Sequence, residues 1–162
     1  MENTKYPISK NIHMNNQQLK DKLNSLNACE ESIEWLNERD VEQMWNDCPC
    51  GDWMLWLLKK LNLNKRKFTL CKGKCAETVK HLMKDERSIK AVEVAIRYGY
   101  SEATEEELFA AAVCAAAAYA DATDAAAYAA AAKKENQLLT ANIIRQLVPF
   151  NELLELLNHD TN

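Results

Sequence analysis

Apolar residues recur at three- and four-residue intervals along most of the chain, the spacing that places side chains on one face of an α-helix. Leu19, Leu23 and Leu26 predict a helix over Asn16 to Leu26. Cys29, Ile33 and Leu36 form a second stripe, with Glu30, Glu31, Glu34 and Glu38 on its wet side. Asn27-Ala-Cys-Glu30 ahead of it reads as a capping box, and Asp40-Val-Glu-Gln43 repeats the pattern before a short helix through Met44 and Trp45. Cys48-Pro-Cys-Gly51 reads as a turn, after which Asp52 is expected to cap a helix over Trp53 to Leu61. That segment is apolar nearly all round and so belongs near the centre of a core.

The second half continues in the same idiom. Lys65 to Met83 carries Phe68, Cys71, Cys75, Val79 and Leu82 or Met83 on one face, with Gly73 inside the pattern. Ile89, Val92, Ala95 and Ile96 mark Ser88 to Tyr98 as amphipathic, and Gly99 is placed to end it. Thr104-Glu-Glu-Glu107 is the clearest cap in the chain, with three acids at the positive end of the following helix dipole. Pro149 ends that element, and Asn151 is expected to cap a last helix through Leu157.

Between Gly99 and Pro149 there is neither Gly nor Pro, and sixteen of the twenty-three residues from Ala110 to Ala132 are alanine. Alanine has the highest helix propensity of any residue, so the window predicts one long helix. Unbroken to Leu147 it would run roughly 65 Å at 1.5 Å per residue, too long for a compact domain of this size. A kink or break between Ala132 and Leu138 is therefore expected. Helical projection puts Leu108, Ala112, Tyr119, Ala126, Ala130, Ala141 and Ile144 on one face, read as core. Asp121, Asp124 and Tyr128 fall opposite, either as solvated surface or as an acidic-aromatic contact site.

Composition narrows the picture to a single all-α domain. At 162 residues the chain can bury a core without staples, and three Gly with three Pro are too few for a fold of many strands and tight turns. The expected organisation is a flexible arm over residues 1–15, then one bundle of six to eight helices over 16–162. It is organised around Trp35, Trp45, Trp53, Trp56 and the long alanine-rich helix. No run approaches the roughly 18 apolar residues of a membrane span, and the first fifteen residues contain no apolar stretch like a secretory signal. The expectation is a cytoplasmic protein with reduced thiols.

Charge is unevenly spread. The net value is −4, yet Ala28 to Asp52 holds eight acids and one base, Arg39, while Lys59 to Lys74 holds seven bases and no acid. The acidic face, with Glu31, Glu34 and Glu38, can steer a basic partner into contact. The bases (Lys59, Lys60, Lys65, Arg66, Lys67, Lys72 and Lys74) could hold phosphate, but the overall negative charge favours a solvated face over nucleic acid.

Candidate chemistry is sparse. Cys48-Pro-Cys50 and Cys71-x-x-x-Cys75 offer two thiol pairs that could form a four-thiolate zinc site. The simpler reading makes Cys71 and Cys75 small core residues, with no metal or other cofactor. The three histidines, at 13, 81 and 159, have no nucleophile and acid in a recognisable pattern, and there is no phosphate-binding glycine loop. No catalytic residue is assigned, and no enzyme is expected.

Three segments together carry a resemblance: Leu26-Asn-Ala-Cys-Glu-Glu-Ser-Ile-Glu-Trp35, Gly51-Asp-Trp-Met-Leu-Trp-Leu57, and Arg87 through the tyrosine-punctuated alanines. Across roughly residues 25–150 the chain resembles a group of small, mostly uncharacterised phage and bacterial proteins, many of them labelled after the all-helical immunity families of bacterial polymorphic toxin systems. The resemblance implies a protein that binds and blocks a toxin without catalysis of its own. Asp52, Trp53 and Trp56, at the motif positions, are expected to serve the core and a helix cap. A phage-encoded inhibitor of a defence nuclease of the CRISPR type would share these traits. The competing expectation is a zinc-stabilised nucleic-acid accessory protein built on Cys48, Cys50, Cys71, Cys75 and the basic stretch. Self-association through the small-residue helix is a further expectation.

Overall fold

A computed structural model describes residues 14–121 and 126–159, with side chains left undescribed over 117–135. Among the described residues there are nine α-helices, one 3-10 turn and no strand. The helices are α1 (Asn16–Ser25), α2 (Glu30–Leu36), α3 (Val41–Asp47), α4 (Gly51–Lys60), α5 (Lys65–Glu77), α6 (Glu86–Gly99), α7 (Glu105–Asp121), α8 (Ala126–Leu147) and α9 (Phe150–His159). The 3-10 turn spans Lys80–Leu82, so the single helix expected over Lys65 to Met83 ends early. Leu82, placed in its apolar stripe, is exposed.

The chain divides into two compact units, Met1–Val41 and Glu42–Asn162. In the first, Leu19 and Leu23 on α1 and Leu36 on α2 are buried. The Asn16 side-chain amide donates to the carbonyls of Asn37 (2.9 Å) and Arg39 (2.6 Å), which pins the turn after α2 to the start of α1. Arg39 lies over the Trp35 ring at 4.5 Å. The residues 1–13 of the expected arm lie outside the described ones. Asn15 is structured, since it caps α1 in a full capping box with Gln18.

Three helices close in the same way, and none of them on a left-handed glycine. Asn27, Asn62 and Ser101 adopt left-handed backbone (φ 62°, 54° and 64°) just past α1, α4 and α6. After α1, Asn27 N–H donates to Asn24 O and Ala28 N–H to Leu23 O, a Schellman closure that recurs with Leu63 to Leu58 O and Glu102 to Arg97 O. Asparagine tolerates this region better than other residues with a Cβ. Asn27 therefore ends α1 and does not cap α2, whose N-cap is Cys29 without a side-chain bond. The capping box expected at 27–30 is thus corrected; α6 does end at Gly99, as expected, but the left-handed residue that closes it is Ser101.

The chain's three glycines serve close helix approaches. A Cβ on Gly99 would lie 2.5 Å from Leu70 Cβ and 3.0 Å from its Cα. One on Gly73 would lie 2.9 Å from Ile96 Cγ1. Both positions bring α5 and α6 together. A Cβ on Gly51 would lie 2.1 Å from Thr140 Oγ1 and 2.8 Å from its Cβ, where α4 meets α8. Helix α5 also packs against α4 and α8, which places it at the middle of the larger unit.

Of the four tryptophans, only Trp45 is fully buried, and its indole N–H donates to Val148 O at 3.2 Å. Trp35, Trp53 and Trp56 are half-buried, so the expectation of a core organised around all four is corrected. Leucines and small thiols fill the interior instead: Met54, Leu57, Leu58, Cys71, Ile144, Val148, Leu153 and Leu157 are all 4% exposed or less.

The described part of the alanine-rich stretch belongs to α7, up to Asp121, and to α8, from Ala126; residues 122–125 lie outside the described ones. Helix α8 runs without interruption through 132–138, so the break expected there from the sequence is corrected. Helix α7 lies on α6, and α8 lies on α4 and α5. The nine helices among the described residues exceed the expected six to eight.

Candidate interaction surface

The start of α7 is fixed by its own residues. Glu107 N–H donates to Thr104 Oγ1 (3.2 Å) and the Glu107 carboxylate accepts from Thr104 N–H (2.8 Å), the reciprocal cap the sequence predicts. Glu106 accepts from its own backbone N–H and from the Thr104 hydroxyl, which holds its carboxyl below the usual range. Lys65 pairs with Glu105, and that bond keeps the lysine ammonium protonated above its ordinary value.

From there α7 buries very little. Ala111 is the one buried residue between Glu105 and Ala116, joined by half-buried Leu108 in a cluster with Val94, Tyr98 and Ala103. Ala112, expected in the core, is exposed; Ala111 takes that role because it points at α6. On the opposite side Phe109 is 71% exposed and Val113 53%. Ala112 and Ala116 are exposed as well. These four sit at i, i+3, i+4 and i+7, the spacing of one continuous helical stripe. Glu105 and Glu106, four and three positions before Phe109, head the same stripe and are exposed. The result is a face that runs from acidic through aromatic to small and aliphatic.

The acidic candidates on the smaller unit are also accessible. Glu31 and Glu34 are exposed along α2, and Glu38 is exposed just beyond its end. Asp124 lies outside the described residues, and the side chains of Asp121 and Tyr128 do too, so the acidic-aromatic site proposed for them has no structural description.

The cysteines are dispersed. Among the described residues no group of three or more His, Cys, Asp or Glu is placed to hold a metal ion. Cys48, Cys71 and Cys75 are buried, and burial pushes their thiols up to about 11, 11 and 12. They are neutral interior groups at ordinary pH. Half-buried Cys50 is engaged differently: its thiol donates to Gln137 Oε1 at 3.3 Å. The same oxygen accepts from Asp52 N–H (3.1 Å), and Gln137 Nε2 donates to Asp52 Oδ2 (2.7 Å). Asp52, expected as the cap of α4, is thus inside the first turn. The acceptor for that turn comes from α8.

The basic stretch is used inside the fold as well. Arg66 donates to Tyr98 O (2.7 Å) and lies over the Tyr98 ring at 4.3 Å. Lys67 pairs with half-buried Glu152, and Lys74 pairs with Glu77. Lys60 and Lys72 approach the rings of Trp56 and Phe68. No helix among the described residues is long and apolar enough to cross a membrane. No family model matches the chain, and no curated protein or solved structure matches it either.

Proposed function

We propose that this protein works by binding another protein, as an immunity-like antagonist or a phage-encoded inhibitor of a bacterial toxin or defence nuclease. The observation that carries the reading is the outward face of α7, where Phe109 and Val113 stand in solvent one helical turn apart. Large apolar side chains grouped on a surface, rimmed by charge, are characteristic of protein contact sites, and aromatic anchors carry a large share of the affinity there. The exposed acids at the α7 head add a field that attracts a basic partner, and those of α2 give the smaller unit an acidic face of its own. The basic residues already bonded to carboxylates, carbonyls and rings favour this reading over the nucleic-acid alternative.

The test is reconstitution. A tagged chain is used to capture partners from its native host, and each candidate is then purified separately and mixed with the untagged protein. The reading expects co-elution as a defined complex and stoichiometric loss of the partner's nuclease activity. It fails if purified candidates elute apart, or if the chain alone shifts nucleic acid in a salt-sensitive manner.

A further inference from the structure

Resting on that reading, we infer that the α7 face is a seat for an amphipathic helix of the partner, packed antiparallel and carrying its basic residues in its last turn. Three features of the face specify this occupant. First, Ala112 and Ala116 are small and exposed between and beyond the two larger side chains, so a second helix axis can approach closely, with Phe109 and Val113 fitting between its ridges. Second, up to Ala116 the charge lies at the head of the face: Glu105, paired with Lys65, and Glu106 precede Phe109, and no charged residue occurs between Glu107 and Ala116. A complementary helix must therefore be basic at one end and apolar beyond it.

Third, the direction follows from the helix dipole. Lysine or arginine is favoured in the last turn of a helix, where it meets the negative end of that helix's own dipole. Placing such a turn beside Glu105 and Glu106 sets the two helices antiparallel. Both the side-chain pairs and the two dipoles are then favourable. A parallel helix would bring a positive N-terminal end alongside the equally positive start of α7. The same surface pairing with a second copy of itself would set one apolar-acidic stripe against another, leaving Glu106 of each without a base from the facing stripe, since Lys65 already pairs with Glu105.

Two synthetic peptides of identical composition test this against the full-length protein. Both are capped amphipathic helices with one leucine-rich face, and they differ in carrying their lysines in the last turn or in the first. Calorimetry is expected to find the last-turn peptide binding about tenfold tighter than its isomer, a difference of roughly 1.4 kcal/mol. Glu106→Lys should abolish that preference, and Phe109→Glu should remove binding of both peptides. Each variant's circular dichroism and melting temperature are recorded, and both should match the parent because the two side chains are exposed.

Equal affinity of the two isomers overturns the antiparallel basic assignment. Binding that survives Phe109→Glu removes the occupant from this face. A concentration-dependent dimer of the parent, dissolved by Phe109→Glu, would give the face to a second copy and equally overturn the inference. The underlying reading is judged separately: a reconstituted partner complex that is insensitive to Phe109→Glu and Glu106→Lys sinks the seat and leaves the antagonist standing. Absence of any reconstituted complex sinks the antagonist itself.

Discussion

Helices meet in two different ways within the larger unit. Where α5 crosses α6, and where α4 crosses α8, glycines let the backbones touch, and both faces of the contact are filled. Where α7 lies on α6, the contact is made by Leu108 and Ala111 from α7 against Val94, Tyr98 and Ala103. The remaining α7 side chains up to Ala116 are exposed, apart from half-buried Ala115. The glycine crossings are spent on internal contact, whereas α7 up to Ala116 uses one narrow strip for stability and leaves most of its other side chains exposed. Ala141 on α8 has no exposure, while Ala112 on α7 is open to solvent, although the two residues have the same intrinsic preference for helix. What faces the residue decides its environment.

The largest effect expected from this contrast is at Gly99. Its missing Cβ faces backbone as well as side chain, so Gly99→Val should cost about 3 kcal/mol or more in urea unfolding. Gly73→Ala should be milder, within about 1 kcal/mol of the parent, because its contacts (2.9 Å to Ile96 Cγ1 and 3.2 Å to Ile96 N) are looser than those at Gly99 and helix propensity is regained. Equal losses from alanine at the two sites would break that ordering. Alkaline pH probes the same interior. Cys48, Cys71 and Cys75 hold their protons to about 11, 11 and 12 in the fold, against an ordinary value of 9 in the open chain. Above pH 9 the unfolded state releases protons that the folded state retains, so stability should fall as pH rises from 9 toward 12. Thermal melts of the parent and of a Cys75→Ala variant would measure that slope, which the variant should reduce.

Three further substitutions compare the interior with the open edge. Trp45→Phe removes an indole bond to Val148 O and part of a fully buried ring, with an expected loss of about 2 kcal/mol in the same unfolding assay. Thr104→Ala deletes the cap of α7 and should cost about 1 kcal/mol, read as a lower melting temperature. Phe109→Ser should change stability by no more than about 0.5 kcal/mol, since so little of that ring is covered. A large loss there would mean that α7 depends on Phe109 for its own folding, and the contrast between core crossing and open edge would collapse.

How far the chain discloses this arrangement depends on whether the signal is local. Amphipathic spacing identifies the helices, and Thr104 with Glu107 forms its cap because every atom involved lies within four residues. Misreadings occur where two physical demands select the same residue type. Asparagine suits a helix start and a left-handed stop equally, and Asn27 serves the second. Glycine suits a left-handed stop and a close crossing, and Gly99 serves the crossing. Alanine spacing defines a helical face but not what lies opposite it, so Ala111 was legible only as a neighbour of the predicted Ala112. The candidate surface was missed for the same reason. Phe109 and Val113 in an apolar run look like interior, and a signal lay only in the three glutamates at the head of their stripe. The thiol pairs suggest a metal by spacing alone, yet the Cys50 thiol meets Gln137, the Cys75 thiol meets Thr140 O, and the Cys48 thiol bonds locally to Cys50 O.

The carboxamide of Gln137 has a consequence for synthesis. It reaches the first turn of α4 from a position 85 residues further along the chain. Until the segments in between have been made, Asp52 N–H and the Cys50 thiol lack this acceptor. The native contacts of that turn are therefore completed only once α8 has been made and has docked, which ties an early segment to a late one.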